Sequence, residues 1–412
     1  MRIIVFNQYF NNRGDESAHK ALIRSLRDNF PKAEIIVLYN KNKYEVAKPF
    51  MVEGTNVTYK ALPNFRPGKI WRKMIKFTLI HNCIGLSLLH PAAKAFYKYM
   101  KSADYNICVP GGIDMGGFQD WSHLFLLHLA KYTNKPLAYY GRSIGPFPEV
   151  TKYNKYFKKL SEDILRYFSY LSLRDAKSCN LAKSMGINYI STVDTAFQDS
   201  PNVEVPEELS KEIGKDYLVF VPNLLIWHFA YKGKVNRNTV IKFYTDITKI
   251  LLEKFTTSKI VMLPQTYGYK DDIFGNDEYF FHEIENAVNN NRIFVAKDSL
   301  CNSDIQQSII RNAKVMVGAR YHSVIFAINN CVPLVALSYE HKINGMLETI
   351  NESDRMIDIT NTFGNIESIN ECLHLFREKI SLLDDMKNAQ KVAKQIAEKG
   401  FLKLKQDIIK YQ

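Results

Sequence analysis

Apolar residues fall in short unbroken runs along this chain, and a polar or glycine-containing loop follows almost every run. Runs at 3–6, 33–38, 105–109, 137–140, 168–173 and 189–193 make a first series; runs at 217–221, 260–263, 293–295, 314–317 and 332–337 make a second. Apolar runs without alternation suit strands of a parallel sheet covered on both faces. Between them the period changes: 11–26 reads as a polar loop opening an amphipathic helix, and 175–186, 239–255, 278–288, 303–312 and 323–330 read as helices, the first of these stopped by Gly186. Strand and helix in repeated alternation predict an α/β protein with doubly wound parallel sheets. The segment 200–208, SPNVEVPEE, carries two prolines and divides the two series. The expected organisation is a first Rossmann-like domain over 1–204, a second over 205–380, and a terminal helix over 381–412, broken near Gly400.

In such sheets ligands bind beyond the carboxyl ends of the strands. In the first series those ends carry Asn12, Gly14 and Asp15, then the Gly111–Gly112 pair with Asp114, then Arg174 and Asp175, then Asp194. Asn12, Gly14 and Asp15 can turn backbone N–H groups toward a ligand or simply cap a helix. The glycine pair allows close backbone approach or a tight turn, and Asp114 could bond a hydroxyl. In the second series the segment 313–345, AKVMVGARYHSVIFAINNCVPLVALSYEHKING, holds two strands whose ends carry Arg320 and His322, then His341 and Lys342. Neighbouring strands lie about 5 Å apart, so these groups would converge, and an anion belongs among them. The competing reading leaves Arg320 and Lys342 as solvated loop charges.

The net charge of +13 strengthens the anion reading. Nucleic acid is not expected, since neither zinc-finger spacing nor an arginine stripe interleaved with aromatics occurs. A basic stretch from Arg66 to Lys76 precedes a largely apolar segment, 77–89. It is too short to span a bilayer, and reads either as a buried helical hairpin with a solvated basic face or as an interfacial helix at an anionic membrane surface. Six scattered cysteines without a CxxC pair fit a reducing compartment, so the chain is expected in the cytoplasm, with the inner face of the membrane as its second partner. No metal or cofactor is expected; Asp271 and Asp272 read as solvated. Apart from His322 and His341, the eight histidines read as structural or exposed.

The ordered pieces NNRGDESAHKALI, VPGGIDMGG, YYGRSIGPF, YLSLRDAKS, VDTAF, LPQTYG and GARYHSVIFAINNCVPLVALSYEHKINGM resemble the polysaccharide pyruvyl transferase family. The G-x-R-x-H-x-x-I-x-A core of the last piece is the most specific. Tyr321, where the family often has an aliphatic residue, and Asn12–Arg13 before Gly14 depart from its pattern. The resemblance implies a GT-B-like pair of Rossmann-like halves facing across a cleft. It implies transfer of a pyruvyl group from phosphoenolpyruvate to two hydroxyls of a sugar in a surface polysaccharide or lipid-linked precursor, giving a cyclic ketal and phosphate. Arg174, Arg320, His322 and Lys342 would lie at the donor, and Asn12, Gly14, Asp15, Gly111, Gly112 and Asp114 would line the cleft from the other half. Arginine and lysine suit the phosphate and carboxylate of that donor. An imidazole suits the proton step, with His322 ahead of His341 as the acid. A GT-B glycosyltransferase using a nucleotide sugar and a non-enzymatic binder of anionic glycan are the alternatives.

Overall fold

The computed structural model describes residues 1–7, 12–65, 68–226, 228, 231–267 and 276–412, with the side chain of residue 341 excepted. Arg66, Asp271, Asp272 and the His341 side chain therefore lie outside the described residues. The chain forms two compact units. The first comprises Met1–Phe10, Ala18–Gln198 and Gln395–Gln412; the second comprises Asn11–Ser17 and Asp199–Lys394.

The first unit holds strands β1 (Arg2–Phe6), β2 (Glu34–Asn40), β3 (Val57–Leu62), β4 (Tyr105–Cys108), β5 (Gly111–Gly116), β6 (Leu137–Gly145), β7 (Tyr170–Leu173) and β8 (Ile190–Ser191). They form one sheet in the order β3-β2-β1-β4-β6-β7-β8, with β5 beside β6, and every pairing is parallel. Ile4, Phe6, Ile36 and Leu38 enter a core on one face, while Ile3, Val5, Ile35 and Val37 enter a core on the other. Burial on both faces is why these strands read as continuous apolar runs. The edge strand β3 (VTYKAL) is half-exposed and mixed in character, and sequence reading passed over it. Residues 141–145, expected as a loop, extend β6 instead. The PGGIDMGG segment, expected as a turn, supplies β5 along that extension.

The second unit holds β9 (Tyr217–Val221), β10 (Lys259–Met262), β11 (Ile293–Val295), β12 (Met316–Gly318), β13 (Leu334–Ser338) and β14 (Met356–Asp358). Their order is β11-β10-β9-β12-β13-β14, again all parallel. This is the doubly wound order, in which the winding reverses between the first and fourth strands of the series, here β9 and β12. The proline segment is pinned, not slack: the Arg311 guanidinium donates to the carbonyls of Ser200 and Pro201 at 3.4 and 2.7 Å.

The terminal helix runs unbroken from Lys387 to Ile409, where a break near Gly400 was expected. Its end belongs to the first unit, held by Tyr105 Oη to Asp407 at 2.5 Å and Tyr170 Oη to the Gly400 carbonyl at 2.6 Å. Gly400 serves packing: a Cβ there would lie 2.6 Å from Thr192 Oγ1. Glycine to alanine inside a helix ordinarily gains about 1 kcal/mol. Here overpacking, which costs about 1–3 kcal/mol, opposes that gain. Gly400→Ala is expected to lower the thermal midpoint, and Thr192→Ala added to it should restore most of the loss. A calorimetric scan of the two variants checks this; a single variant more stable than wild type would refute it.

Candidate active site

The ends of β9, β12 and β13 lie side by side, with Val221 opposite Gly318 and Gly318 opposite Ala336. From these ends the chain passes into Asn223, Arg320 and the Tyr339–Glu340 pair. Arg320 is the N-cap position of the helix Tyr321–Asn329, with extended backbone. Ser323 turns the chain there, donating to the Arg320 carbonyl through Oγ at 2.7 Å and N–H at 3.1 Å. The turn puts His322 in the first helical turn, buried.

Arg320 is held from a fourth strand end, that of β10. Its Nη2 donates to Thr266 Oγ1 at 2.8 Å and forms an ion pair with Asp277 Oδ1. The other Asp277 oxygen accepts the backbone N–H groups of Gln265 and Thr266 at 3.0 and 2.9 Å, tying the guanidinium to the loop after β10. On the opposite side, Tyr339 links the strand ends. Burial raises its phenol, Glu340 adds to the rise, and the Arg320 charge and a hydrogen bond with Asn223 oppose it. Glu340 lies 3.6 Å from His228 Nε2 and 3.4 Å from Lys342 Nζ. Burial alone would raise the Glu340 carboxyl, but His228 and Lys342 outweigh it and hold it down at about 2. Two of the three cations expected at the donor are therefore met here by carboxylates, Arg320 by Asp277 and Lys342 by Glu340, while the third, Arg174, belongs to the first unit.

The segment expected to line the cleft from the other half, Asn12, Gly14 and Asp15, belongs to the second unit. The reason is a buried ion cluster. Arg13 Nη1 donates to Glu16 at 2.8 Å, and Nη2 donates to the carbonyl and carboxylate of Asp298, both at 2.8 Å. Its guanidinium also lies 4.1 Å over the Tyr267 ring. Glu16 in turn accepts the N–H and Oγ of Ser303 at 3.0 and 2.9 Å. Burial works against the Arg13 charge, yet Glu16 and Asp298 raise its pKa overall. Asn12 forms a β-bridge with Thr266, and its carboxamide accepts the N–H groups of Gly14 and Asp15 at 2.7 and 3.3 Å. Those N–H groups thus meet the cap of the helix Arg13–Asn29, and Asp15 sits half-buried in its first turn.

Gly14 then meets His322 directly. A Cβ on Gly14 would fall 1.8 Å from His322 Nδ1 and 1.9 Å from Cγ, inside the imidazole. Glycine is required here for close approach, and that approach packs the helix backbone against the imidazole.

The remaining candidates stand in the first unit. Asp114 forms an ion pair with the buried Arg142 and lies 3.6 Å from His123 Nδ1. At Gly111 the close neighbour is the Arg142 guanidinium, 3.0 Å from where a Cβ would be, while Gly112 has open space. Arg174 is buried at the end of β7, with Nε donating to Ser143 Oγ at 3.2 Å and Nη1 paired with the fully buried Asp194.

The pattern of the polysaccharide pyruvyl transferase family matches residues 12–341, from the helix cap at Asn12 through Arg320 and His322. The chain belongs to the polysaccharide pyruvyl transferase family. The amylovoran biosynthesis protein AmsJ of Erwinia amylovora is 21% identical to this pyruvyl transferase over 381 residues, 87% of this chain and 88% of that protein. UDP-GlcNAc 2-epimerase from Neisseria meningitidis, solved with UDP-GlcNAc, superposes with a TM-score of 0.55 at 12% identity, over 98% of this chain and all of the other. UGT89C1 of Arabidopsis thaliana, solved with UDP, gives 0.55 at 10% identity, over 100% and 99%. At such identities the likeness concerns architecture: the pyruvyl transferase has the GT-B-like fold.

Asp277, Glu340, His228 and the Arg13–Glu16–Asp298 cluster escaped sequence reading. The helix expected over 278–288 begins just after Asp277, and His228 reads as structural. A pairing between strand ends leaves no local spacing to detect.

Two outcomes follow from this geometry. Gly14→Ala should keep the fold by circular dichroism while lowering pyruvyl transfer by roughly 100-fold, the scale of an ångström-sized misplacement; near-wild-type turnover would contradict the packing. The Glu340 carboxyl, at about 2 in the fold and 4.5 ordinarily, binds fewer protons folded than unfolded. Its contribution, on the order of 3 kcal/mol, is present above the ordinary value and is lost as pH falls from there toward the folded value. Urea midpoints should therefore separate wild type from Glu340→Gln near neutral pH and converge in acid.

Proposed function

We propose that this pyruvyl transferase takes its group from phosphoenolpyruvate and sets it as a cyclic ketal across two hydroxyls of a sugar in a surface-polysaccharide or lipid-linked precursor. The observation that carries the reading is the placement of His322, packed against Gly14, two residues after Arg320, whose guanidinium is paired with Asp277, at the reversal point of the second sheet. Lys342 leaves the adjoining strand end. Phosphoenolpyruvate carries a phosphate and a carboxylate on one small frame, which suits a planar guanidinium beside an ammonium.

The reaction has four steps. His322 delivers a proton to C3, turning the methylene into a methyl group and making C2 electrophilic. A sugar hydroxyl oxygen bonds to C2, and its proton returns to the imidazole. The C2–O bond to phosphate breaks, and phosphate departs. The second hydroxyl closes the ketal by bonding to C2, and the freed phosphate, still in the site, takes its proton and leaves. Asp277 acts as a positioning residue through Arg320. The six cysteines are all free, which accords with our placing the reaction in the reducing cytoplasm.

The test is incubation with phosphoenolpyruvate and galactose- or mannose-type acceptors, read by free phosphate and a mass gain of one pyruvyl group. His322→Ala should lower kcat by about 10²–10⁴-fold. Lys342→Ala should mainly raise KM for phosphoenolpyruvate, and Asp277→Asn should raise it less. Turnover of a UDP-sugar instead would favour a glycosyltransferase; binding of anionic glycan with no turnover of either donor would favour a binding protein.

A further inference from the structure

We propose that the surface formed by the helix Lys69–Ile80 and the turn Ile84–Leu89 in the first unit is a docking face for an anionic lipid bilayer. The charge distribution supports it first. Between residues 54 and 103 there are nine lysines and arginines and no aspartate or glutamate, so this stretch supplies nine of the net thirteen positive charges. The rest of the chain is close to balanced.

Burial then sorts the stretch into two sides. Trp71, Ile75, Thr78 and Leu79 form the inward side of the helix. Trp71 stacks on Phe65 with ring centroids 5.0 Å apart, so the tryptophan is core and not a membrane anchor. Lys76 also turns to the protein, its ammonium 5.0 Å from the Trp121 ring and 4.9 Å from that of Tyr153. The outward side carries Ile70 and Phe77, two helical turns apart and therefore on one face, with exposures of 86% and 53%. Lys69, Arg72 and Lys73 are exposed beside them. The next element exposes Leu86 and Leu89, at 54% and 85%. Three residues apart in a 3₁₀ turn, these two also share a side.

A single exposed leucine is ordinary. Four large apolar side chains on two consecutive elements, in a basic stretch of sequence without acidic residues, form the pattern of a helix lying in the lipid interface. A nucleic acid or a soluble polyanion would use the lysines but would leave Ile70, Phe77, Leu86 and Leu89 in water. Among the described residues no helix is long and apolar enough to cross a membrane, so the contact lies on the surface of the bilayer. The proposal is independent of the reaction assigned above, because its measurement involves no turnover.

The full chain is mixed with vesicles of phosphatidylcholine alone, or with phosphatidylglycerol added, and floated at low and high salt. Binding is expected only with phosphatidylglycerol and should weaken with salt. Each of Lys69→Gln, Arg72→Gln and Lys73→Gln should weaken partitioning roughly fivefold. Ile70→Ser with Leu89→Ser should abolish flotation while leaving the thermal midpoint unchanged, as expected of exposed side chains. Failure to float with phosphatidylglycerol overturns the proposal. So does flotation insensitive to the serine pair, or binding to dextran sulfate of equal strength that the serine pair leaves intact, which would mark a polyanion site.

Discussion

A charge removed from water is stable only where an opposite charge and hydrogen bonds answer it, and this requirement shapes the second unit. Arg13 is almost fully buried, between Glu16 and Asp298 and over the Tyr267 ring. Either carboxylate would balance the charge, and the two together answer N–H donors on both terminal nitrogens. Together they bind residues near the start of the chain to a sheet that begins some two hundred residues later. Gly14 is the neighbour of Arg13, so the same cluster presses its backbone against His322. The ring is thus held by a packing contact whose position depends on an ion cluster, and the chemistry assigned to His322 inherits that dependence.

Charge pairing recurs at each site of interest. Arg320 has Asp277, Lys342 has Glu340, Arg142 has Asp114 and Arg174 has Asp194. A cation kept for an anionic substrate would otherwise adopt many rotamers, and fixing a long side chain costs up to about 2 kcal/mol. A carboxylate already in place takes that cost before the substrate arrives. The paired carboxylate also reduces the local positive field, leaving an oriented guanidinium rather than a diffuse basic patch. The diffuse basic field lies elsewhere, on the helix Lys69–Ile80 of the first unit. Positive charge is therefore disposed in two ways: paired with carboxylates in both units, and exposed on an outer helix at Lys69, Arg72 and Lys73.

The central strands were legible because burial on both faces writes a continuous apolar run, as in IIVF of β1 and YLVFV of β9. The edge strands β3 and β14 were not, since a strand covered on one side mixes polar and apolar residues, and β14 has only three. Gly400 looked like a helix breaker because glycine is a poor helix former. Its place is set by Thr192, which no local pattern reveals.

The sequence by itself determined the α/β class, the two series of strands, and the placement of Arg320, His322 and Lys342 at the ends of neighbouring strands. Those features follow from periodicity and from the few residues around each strand, which are local in the chain. Only the tertiary structure decided that Asn12, Gly14 and Asp15 join the second unit, that Asp277 pairs with Arg320 and Glu340 with Lys342, and that Trp71 faces inward while Ile70 faces water. Each of these rests on groups from distant segments meeting, and electrostatic and steric complementarity depends on distance in space, which order along the chain does not specify.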